Sequence, residues 1–260
     1  MEGISELWNM RKSTHDVVYL SKTISSDFEK EYIKLRNAEG WIYTDEMVLT
    51  LPDINKFAVH ATEWKYRKIS AERILKYLER TKAENILELG CGNGWFANLI
   101  SKRKKSITVG VDINETELIQ AARLFSKEHT LFVYGDIFET VWPTNCFDII
   151  ILNSSLQYFP YPQILFTKLL SLLTHNGEIH ILDSPMYRNI KQAEMASARS
   201  KLYFDSIVFT NQLKHYHHHP MNVLSNYKYN VMYDPANWKY VIEKYITYQW
   251  TPFPWIRIKK

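Results

Sequence analysis

Apolar positions along the first sixty residues follow no single period. Phe28 to Leu35 has helical spacing, Ala38-Glu39-Gly40 reads as a turn, and WIYTDEMVLTLP follows without a clear type. From Thr62 the pattern clears. Ala71, Ile74, Leu75 and Leu78 recur at the spacing of one helix face, with charges between them. Short apolar runs then alternate with helical stretches: NILEL (85–89), ITVGVD (107–112), LFVYGD (131–136), FDIIILN (147–153) and EIHILD (178–183). Asn114 and Glu117 form a capping-box pair that opens the helix carrying Leu118, Ala121, Ala122 and Phe125. Pro162 starts a helix with Leu165, Leu169, Leu172 and Leu173 on one stripe, and Asn176-Gly177 reads as its stop. Five strand–helix units in succession predict an α/β fold with a mostly parallel sheet covered by helices on both faces. Beyond Asp183 the alternation loosens. Helices are expected between Asn189 and Leu202 and near Trp238 to Lys244, and YITYQW with PWIRI is expected to form a closing, antiparallel strand pair.

Composition changes this picture little. The chain has 260 residues, 46% hydrophobic and 23% charged, which excludes disordered, collagen-like and disulfide-framework classes. Its charge of +4 comes from 32 basic and 28 acidic residues scattered along the chain, unlike the concentrated basic face of a nucleic-acid binder. The single basic run, Lys102 to Lys105, suits a solvated helix end. Two cysteines, Cys91 and Cys146, fit a reducing compartment, and the absence of a long apolar stretch adds the expectation of a cytoplasmic protein without membrane contact.

The chemistry concentrates at the ends of the apolar runs. The first ends in Glu88-Leu-Gly-Cys-Gly-Asn-Gly94, where glycines permit a tight turn and close approach of a ligand to backbone. Dinucleotide turns use G-x-G-x-x-G to seat a pyrophosphate; here the spacing is G-x-G-x-G with an acid just before it, which suits a cationic ligand. This run resembles the signature loop of the class I methyltransferases, which use S-adenosylmethionine. The resemblance spans roughly residues 62–185 and implies a three-layer Rossmann-like sandwich and a donor site. It assigns Glu88, Gly90, Cys91, Gly92 and Gly94 to the loop. Asp112 and Ile113 at the end of the second strand take the ribose position, 22 residues past Gly90. Asp136 and Ile137 take the adenine position, and Asn153 stands beside the sulfonium. In this family the cysteine of the loop is structural rather than catalytic.

Three segments follow from that reading: an N-terminal helical and aromatic extension (1–61) covering the active site, a donor-binding core (62–185), and an acceptor-side insertion with closing strands of the same domain (186–260). The acceptor is expected to be a small molecule. Asn-Ser-Ser-Leu-Gln-Tyr-Phe after the fourth strand departs from the D/N-P-P-Y/F/W motif of enzymes that methylate DNA amino groups, and no Pro-Cys dipeptide or paired-glutamate loop marks an RNA carbon-five or arginine methyltransferase. An RNA methyltransferase and a donor-binding regulatory protein without activity remain the alternatives. Tyr158, Asp183 and His218 are candidate catalytic groups. Asp183 suits a general base, a metal ligand beside Asn153 or a structural cap, but Ser184 replaces the asparagine that follows it in metal-dependent relatives. Adjacent His217, His218 and His219 cannot all face one metal, so no metal site is expected. Trp64 and Arg67 are expected to close over the donor's methionine end. The aromatic flanks suit either an acceptor pocket or ordinary edge packing, and whether oxygen, nitrogen or carbon is methylated, like the oligomeric state, is open.

Overall fold

The computed structural model describes Ile4, Leu7 and residues 16–21, 26–56, 58–104, 106–127, 129–207, 209 and 214–260. Lys105, the last of the basic run, and much of the segment before residue 16 lie outside the described residues. Among the described residues eight strands form one sheet. In chain order these are β1 (Val17–Tyr19), β2 (Asn85–Leu89), β3 (Ile107–Asp112), β4 (Thr130–Tyr134), β5 (Phe147–Asn153), β6 (Leu173–Leu182), β9 (Tyr229–Tyr233) and β10 (Trp255–Lys259), with a separate two-residue pair β7 (Met186–Tyr187) and β8 (His219–Pro220). The sheet order is β1-β4-β3-β2-β5-β6-β10-β9, parallel from β1 to β6 and antiparallel at β10 and β9. No helix among the described residues is long and apolar enough to cross a membrane.

Helices cover both faces. They are α1 (Ser26–Ala38), α2 (Asp45–Thr50), α3 (Ala61–Leu78), α4 (Trp95–Lys104), α5 (Glu115–Phe125), α6 (Pro162–Leu172), α7 (Ile190–Ser206) and α8 (Trp238–Ile246). Successive strand residues point to opposite faces, so Ile86 joins one buried cluster with Ile74, Leu78, Phe96, Ile100 and Leu118. Leu87 joins the other, with Val109, Ile150, Leu165 and Leu169. This double burial is why the central strands are continuously apolar.

Local chemistry sets the helix starts. The Asn114 side chain accepts from the Glu117 amide at 3.1 Å, the expected cap, and also donates to the Glu117 carboxylate at 2.9 Å, while the Asn114 backbone amide donates to Asp112 instead of Glu117. Asn189 caps α7 by accepting from the Gln192 amide at 2.9 Å.

Three sequence expectations need correction. YITYQW does not form a strand: Tyr245 and Ile246 finish α8, and Tyr248 turns the chain with a φ of 56°. Val241, Ile242 and Tyr245 have helical spacing, which prevails over the local β-forming composition. The partner of the final strand is instead Tyr229–Tyr233. Asn176-Gly177 is not a helix stop either, because α6 ends at Leu172 and the dipeptide lies within β6. Finally, β1 was hidden in an aromatic-rich segment, where three residues are too few to display alternation. It pairs with β4 at the sheet edge.

The antiparallel closure is anchored by polar contacts as well as apolar ones. Trp255 Nε1 donates to His180 Nδ1 at 3.0 Å, and the His180 Nε2 faces Glu178 at 3.2 Å, with His180 fully buried. Since Nδ1 accepts, the proton belongs on Nε2 and is donated to the carboxylate.

The turn after β2 is the tightest part of the fold. Gly94 has a φ of 74°, and a Cβ placed there would meet the Phe132 ring at 2.7 Å and Ala121 at 2.8 Å. Gly94→Ala should therefore lower stability by about 2–4 kcal/mol, combining left-handed strain with overpacking. Urea unfolding measures this; an unchanged midpoint would show that the turn accepts a side chain.

Candidate active site

The C-terminal ends of β2, β3, β4 and β5 meet at one edge of the sheet, and a cavity of about 530 Å³ opens there. It is bounded by the glycine loop, the residues following these strands, and side chains from α1 and α3. Open parallel sheets bind ligands at this position because the strand ends and helix N-termini leave backbone groups unpaired there.

The loop is stapled to its neighbour strand. The amides of Gly90 and Cys91 donate to the Val111 carbonyl at 2.8 and 3.1 Å, and the Gly92 amide donates to Asp112 Oδ2 at 2.7 Å. Gly90 has a φ of 79°, and a Cβ there would fall 2.5 Å from that of Ser155, whose hydroxyl donates to the Leu89 carbonyl at 2.6 Å. The loop can therefore follow this path only with glycine. Cys91 Sγ lies where Gly110 leaves room, 2.9 Å from the position of an added Cβ. Burial, and then the nearby Asp112 and Glu88 charges, push its thiol well up, so it stays protonated and unreactive.

Four acids line the cavity, Glu88, Asp112, Asp136 and Glu117. Glu88 is 1% exposed, and its Oε2 has no hydrogen-bond partner. Burial pushes its carboxyl well above the ordinary range, against hydrogen bonds from the Ala97 backbone and the Asn153 side chain. Asp112 accepts from Gly92 on one oxygen and from the Asn114 amide at 2.8 Å on the other, leaving further lone pairs toward the cavity. Burial again raises its carboxyl, opposed by these backbone donors. Asp136 Oδ1 accepts from the Phe138 amide at 2.7 Å, which fixes the turn presenting Ile137. Ile113 and Asn153 also border the cavity; of the residues that the sequence singled out for the donor, Gly94 alone does not, lying against Phe132 and Ala121.

The catalytic candidates separate. Tyr158 lines the cavity, with its ring edge-on to Tyr32 and Tyr216 at 5.9 and 6.0 Å. Asp183 does not line it: the residue is buried at the end of β6 with a φ of 46°, and Oδ1 accepts from Ser70 at 2.6 Å. Its pKa is raised to about 6 by burial, with Ser70 and Arg67 opposing. His218 is also outside the cavity, its Nδ1 2.9 Å from the Tyr187 hydroxyl and its Nε2 2.9 Å from Ser200 Oγ. Both imidazole nitrogens are thus occupied in joining β7 to α7. No group of three or more His, Cys, Asp or Glu suited to a metal occurs among the described residues.

Sequence reasoning expected an aromatic N-terminal segment near the site but named none of its lining residues. Tyr32, Arg36, Trp41 and Tyr43 line the cavity beside Trp64 and Arg67. The Trp41 indole is stacked on His60 at 3.6 Å and 9°, and Tyr43 accepts from Trp64 Nε1 at 2.7 Å. The aromatic richness before residue 62 was the available signal, but no spacing rule assigns such residues to a site. Glu117 also lines the cavity, although its sequence context marked it only as a capping residue.

Comparison with known proteins agrees with this geometry. A methyltransferase-domain family profile matches residues 80–244. Trans-aconitate 2-methyltransferase of Yersinia pseudotuberculosis is 31% identical over 140 residues, covering 49% of this chain and 53% of that protein. The chain thus spans about half the length of the curated relatives it matches. The crystal structure of the plantazolicin methyltransferase BpumL with a pentazolic desmethylPZN analog and SAH is similar at a TM-score of 0.57 and 18% identity, over 91% of this chain and 92% of that one. An S-adenosylmethionine-dependent methyltransferase from Mesorhizobium loti gives a TM-score of 0.54 at 17% identity, over 75% of this chain and all (100%) of that one. The sheet order, the family match and the strand-end cavity converge: the chain belongs to the methyltransferase-domain family, the class I S-adenosylmethionine-dependent methyltransferases of Rossmann-like fold.

Proposed function

We propose that the protein transfers a methyl group from S-adenosylmethionine to a small-molecule acceptor. The observation that carries this reading is the buried, unpartnered Glu88 Oε2 at a glycine loop, in a cavity shared with Asp112 and Asp136. A buried carboxylate without a partner is costly, and a cationic ligand at this place would relieve the cost. In the proposed arrangement Glu88, with the loop Gly90, Cys91, Gly92 and Gly94, holds the donor's methionine portion. Asp112 accepts from the ribose hydroxyls beside Ile113, Asp136 accepts from the adenine amino group while Ile137 covers the ring, and Asn153 lies next to the sulfur.

The donor supplies an electrophilic methyl on a sulfonium. As the acceptor atom bonds to that carbon, the carbon–sulfur bond breaks and sulfur keeps its electron pair; an acceptor proton, where there is one, leaves to base or water. Positive charge disperses along the way, so the protein's work is chiefly to align the acceptor and exclude water. Tyr158 and Tyr32 are placed to shape that space. In this reading residues 62–185 form the donor core, and residues 1–61 and 186–260 supply the covering and acceptor-side segments. A small acceptor is supported by the relatives named for trans-aconitate.

The purified protein should bind S-adenosylhomocysteine in calorimetry, and Asp112→Ala should weaken that binding at least about tenfold, as expected for loss of charge-assisted hydrogen bonds. An unchanged dissociation constant would remove Asp112 from the ribose site. Glu88→Gln should abolish binding while making the free protein more stable at neutral pH. The sign follows from the raised Glu88 pKa: the folded state retains a proton that the unfolded state has lost, so wild-type stability declines as pH rises above the ordinary value of 4.5. The variant lacks this decline. Thermal unfolding between pH 4 and pH 8 measures it, and parallel profiles for both proteins would refute it.

A further inference from the structure

Two cations line the cavity, and neither is in an ion pair among the described residues. Arg36 on α1 and Arg67 on α3 both lie over the Trp41 indole, 4.6 and 5.0 Å from its centroid. Arg36 also approaches Tyr32 at 5.7 Å, and Arg67 approaches Trp64 at 4.9 Å. Trp41 is itself backed by His60, whose Nε2 is hydrogen-bonded to the Glu39 carbonyl at 2.7 Å. The guanidinium planes are thus positioned by a ring that is held in place. No ion pair or hydrogen bond among the described residues involves either guanidinium, and Arg36 Nε is sealed from water with no acceptor.

Each of the nearby acids makes a hydrogen bond elsewhere, although Asp183 Oδ2 is buried without a partner. Glu117 accepts from Asn114, Asp183 accepts from Ser70, and Glu39 accepts from the Tyr203 hydroxyl at 2.6 Å. Burial, and next the charge of Arg36, push the Arg67 pKa down against the charge of Asp183, whereas for Arg36 the surrounding Tyr32, Tyr158, Glu117 and Glu39 outweigh burial and keep it charged. Two like charges against one indole in a partly apolar cavity, neither of them bonded to a carboxylate, describe a receptor for an anion.

We propose that Arg36 and Arg67 are a paired carboxylate receptor, with Arg36 holding a carboxylate of the acceptor and Arg67 the α-carboxylate of the donor; this rests on the methyltransferase reading above. The assignment follows from what each cation adjoins. Arg67 leads through Trp64 to Trp95, 5.2 Å away by ring centroids, and Trp95 opens the helix behind the glycine loop. Arg36 leads through Tyr32 to Tyr158, the aromatic side of the cavity. A guanidinium offers a planar fork to a carboxylate, and the Trp41, Tyr32 and Tyr158 rings suit a flat apolar body attached to it. The acceptor class is therefore a small carboxylic acid with a planar body, rather than an amine or a neutral lipid.

The test titrates protein saturated with S-adenosylhomocysteine against benzoate and, as its uncharged counterpart, benzamide. Benzoate should bind saturably and at least about tenfold more tightly than benzamide. Arg36→Gln should lose at least about tenfold in benzoate affinity with S-adenosylhomocysteine affinity nearly unchanged, and Arg36→Lys should lie between it and wild type. Arg67→Gln should mainly weaken S-adenosylhomocysteine. Arg36→Gln loses only the stacking on Trp41 and Tyr32 and no ion pair, so it should keep one cooperative thermal transition close to that of wild type. Equal binding of benzoate and benzamide, or of neither, would overturn the proposal, as would an Arg36→Gln variant that weakens S-adenosylhomocysteine alone. Should wild type not bind S-adenosylhomocysteine at all, the methyl-donor reading fails; the benzoate and benzamide titration of free protein then still decides whether Arg36 receives a carboxylate.

Discussion

The hydrogen bonds that tie the glycine loop to β3 are the constraint on which the rest of the site depends. Gly90 and Cys91 share the Val111 carbonyl, and Gly92 takes Asp112 Oδ2. One backbone turn thereby fixes the end of the central strand, the orientation of Asp112 and the start of α4. Because β2 lies between β3 and β5, the same turn also determines where Glu88 meets Asn153 across the sheet. A parallel sheet places all these strand ends on one edge, so short-range backbone geometry is converted into a shared cavity.

This explains why the strand-end side of the cavity was legible in the sequence. Its residues lie at or just after the ends of continuously apolar runs, and such runs exist because the strands are covered on both faces. Of the central strands, β2, β3 and β5 have the bounds that the hydrophobic pattern gave, and the Asn114–Glu117 cap is as its spacing required. The periphery was less legible for physical reasons. β1 is three residues long, and β9 alternates weakly because its first residues are exposed on an edge strand. Tyr245 and Ile246 are good strand formers that the amphipathic stripe of α8 claims instead.

The cavity's other wall was illegible in a different way. Trp41, Tyr43, His60 and Trp64 are brought together by aromatic packing, which has no preferred sequence spacing. Arg36 and Arg67 lie on two helices; the family resemblance pointed to Arg67, whereas Arg36 alone resembles a surface cation on a polar stretch. Their pairing appears only when the fold turns both toward one indole. Conversely, His218 seemed chemically suggestive in the sequence, yet its two nitrogens are occupied by Tyr187 and Ser200. A reactive residue type is informative only once its partners are known.

Unpartnered buried charge divides the cavity into two electrostatic regions. Glu88, next to the glycine loop, favours a cation, whereas Arg36 and Arg67 over Trp41 favour anions. Amino-acid-like ligands carry both signs a few ångströms apart, so the Glu88-to-Arg67 side suits the zwitterionic end of the donor. That leaves Arg36 as the surplus positive group on the aromatic side. Its guanidinium makes no ion pair among the described residues, and an anion entering the cavity would supply one and stabilise the folded protein. Acceptor selectivity in this arrangement arises less from shape than from rejection: a neutral molecule of the same outline would seal Arg36 away from water without supplying the carboxylate it lacks.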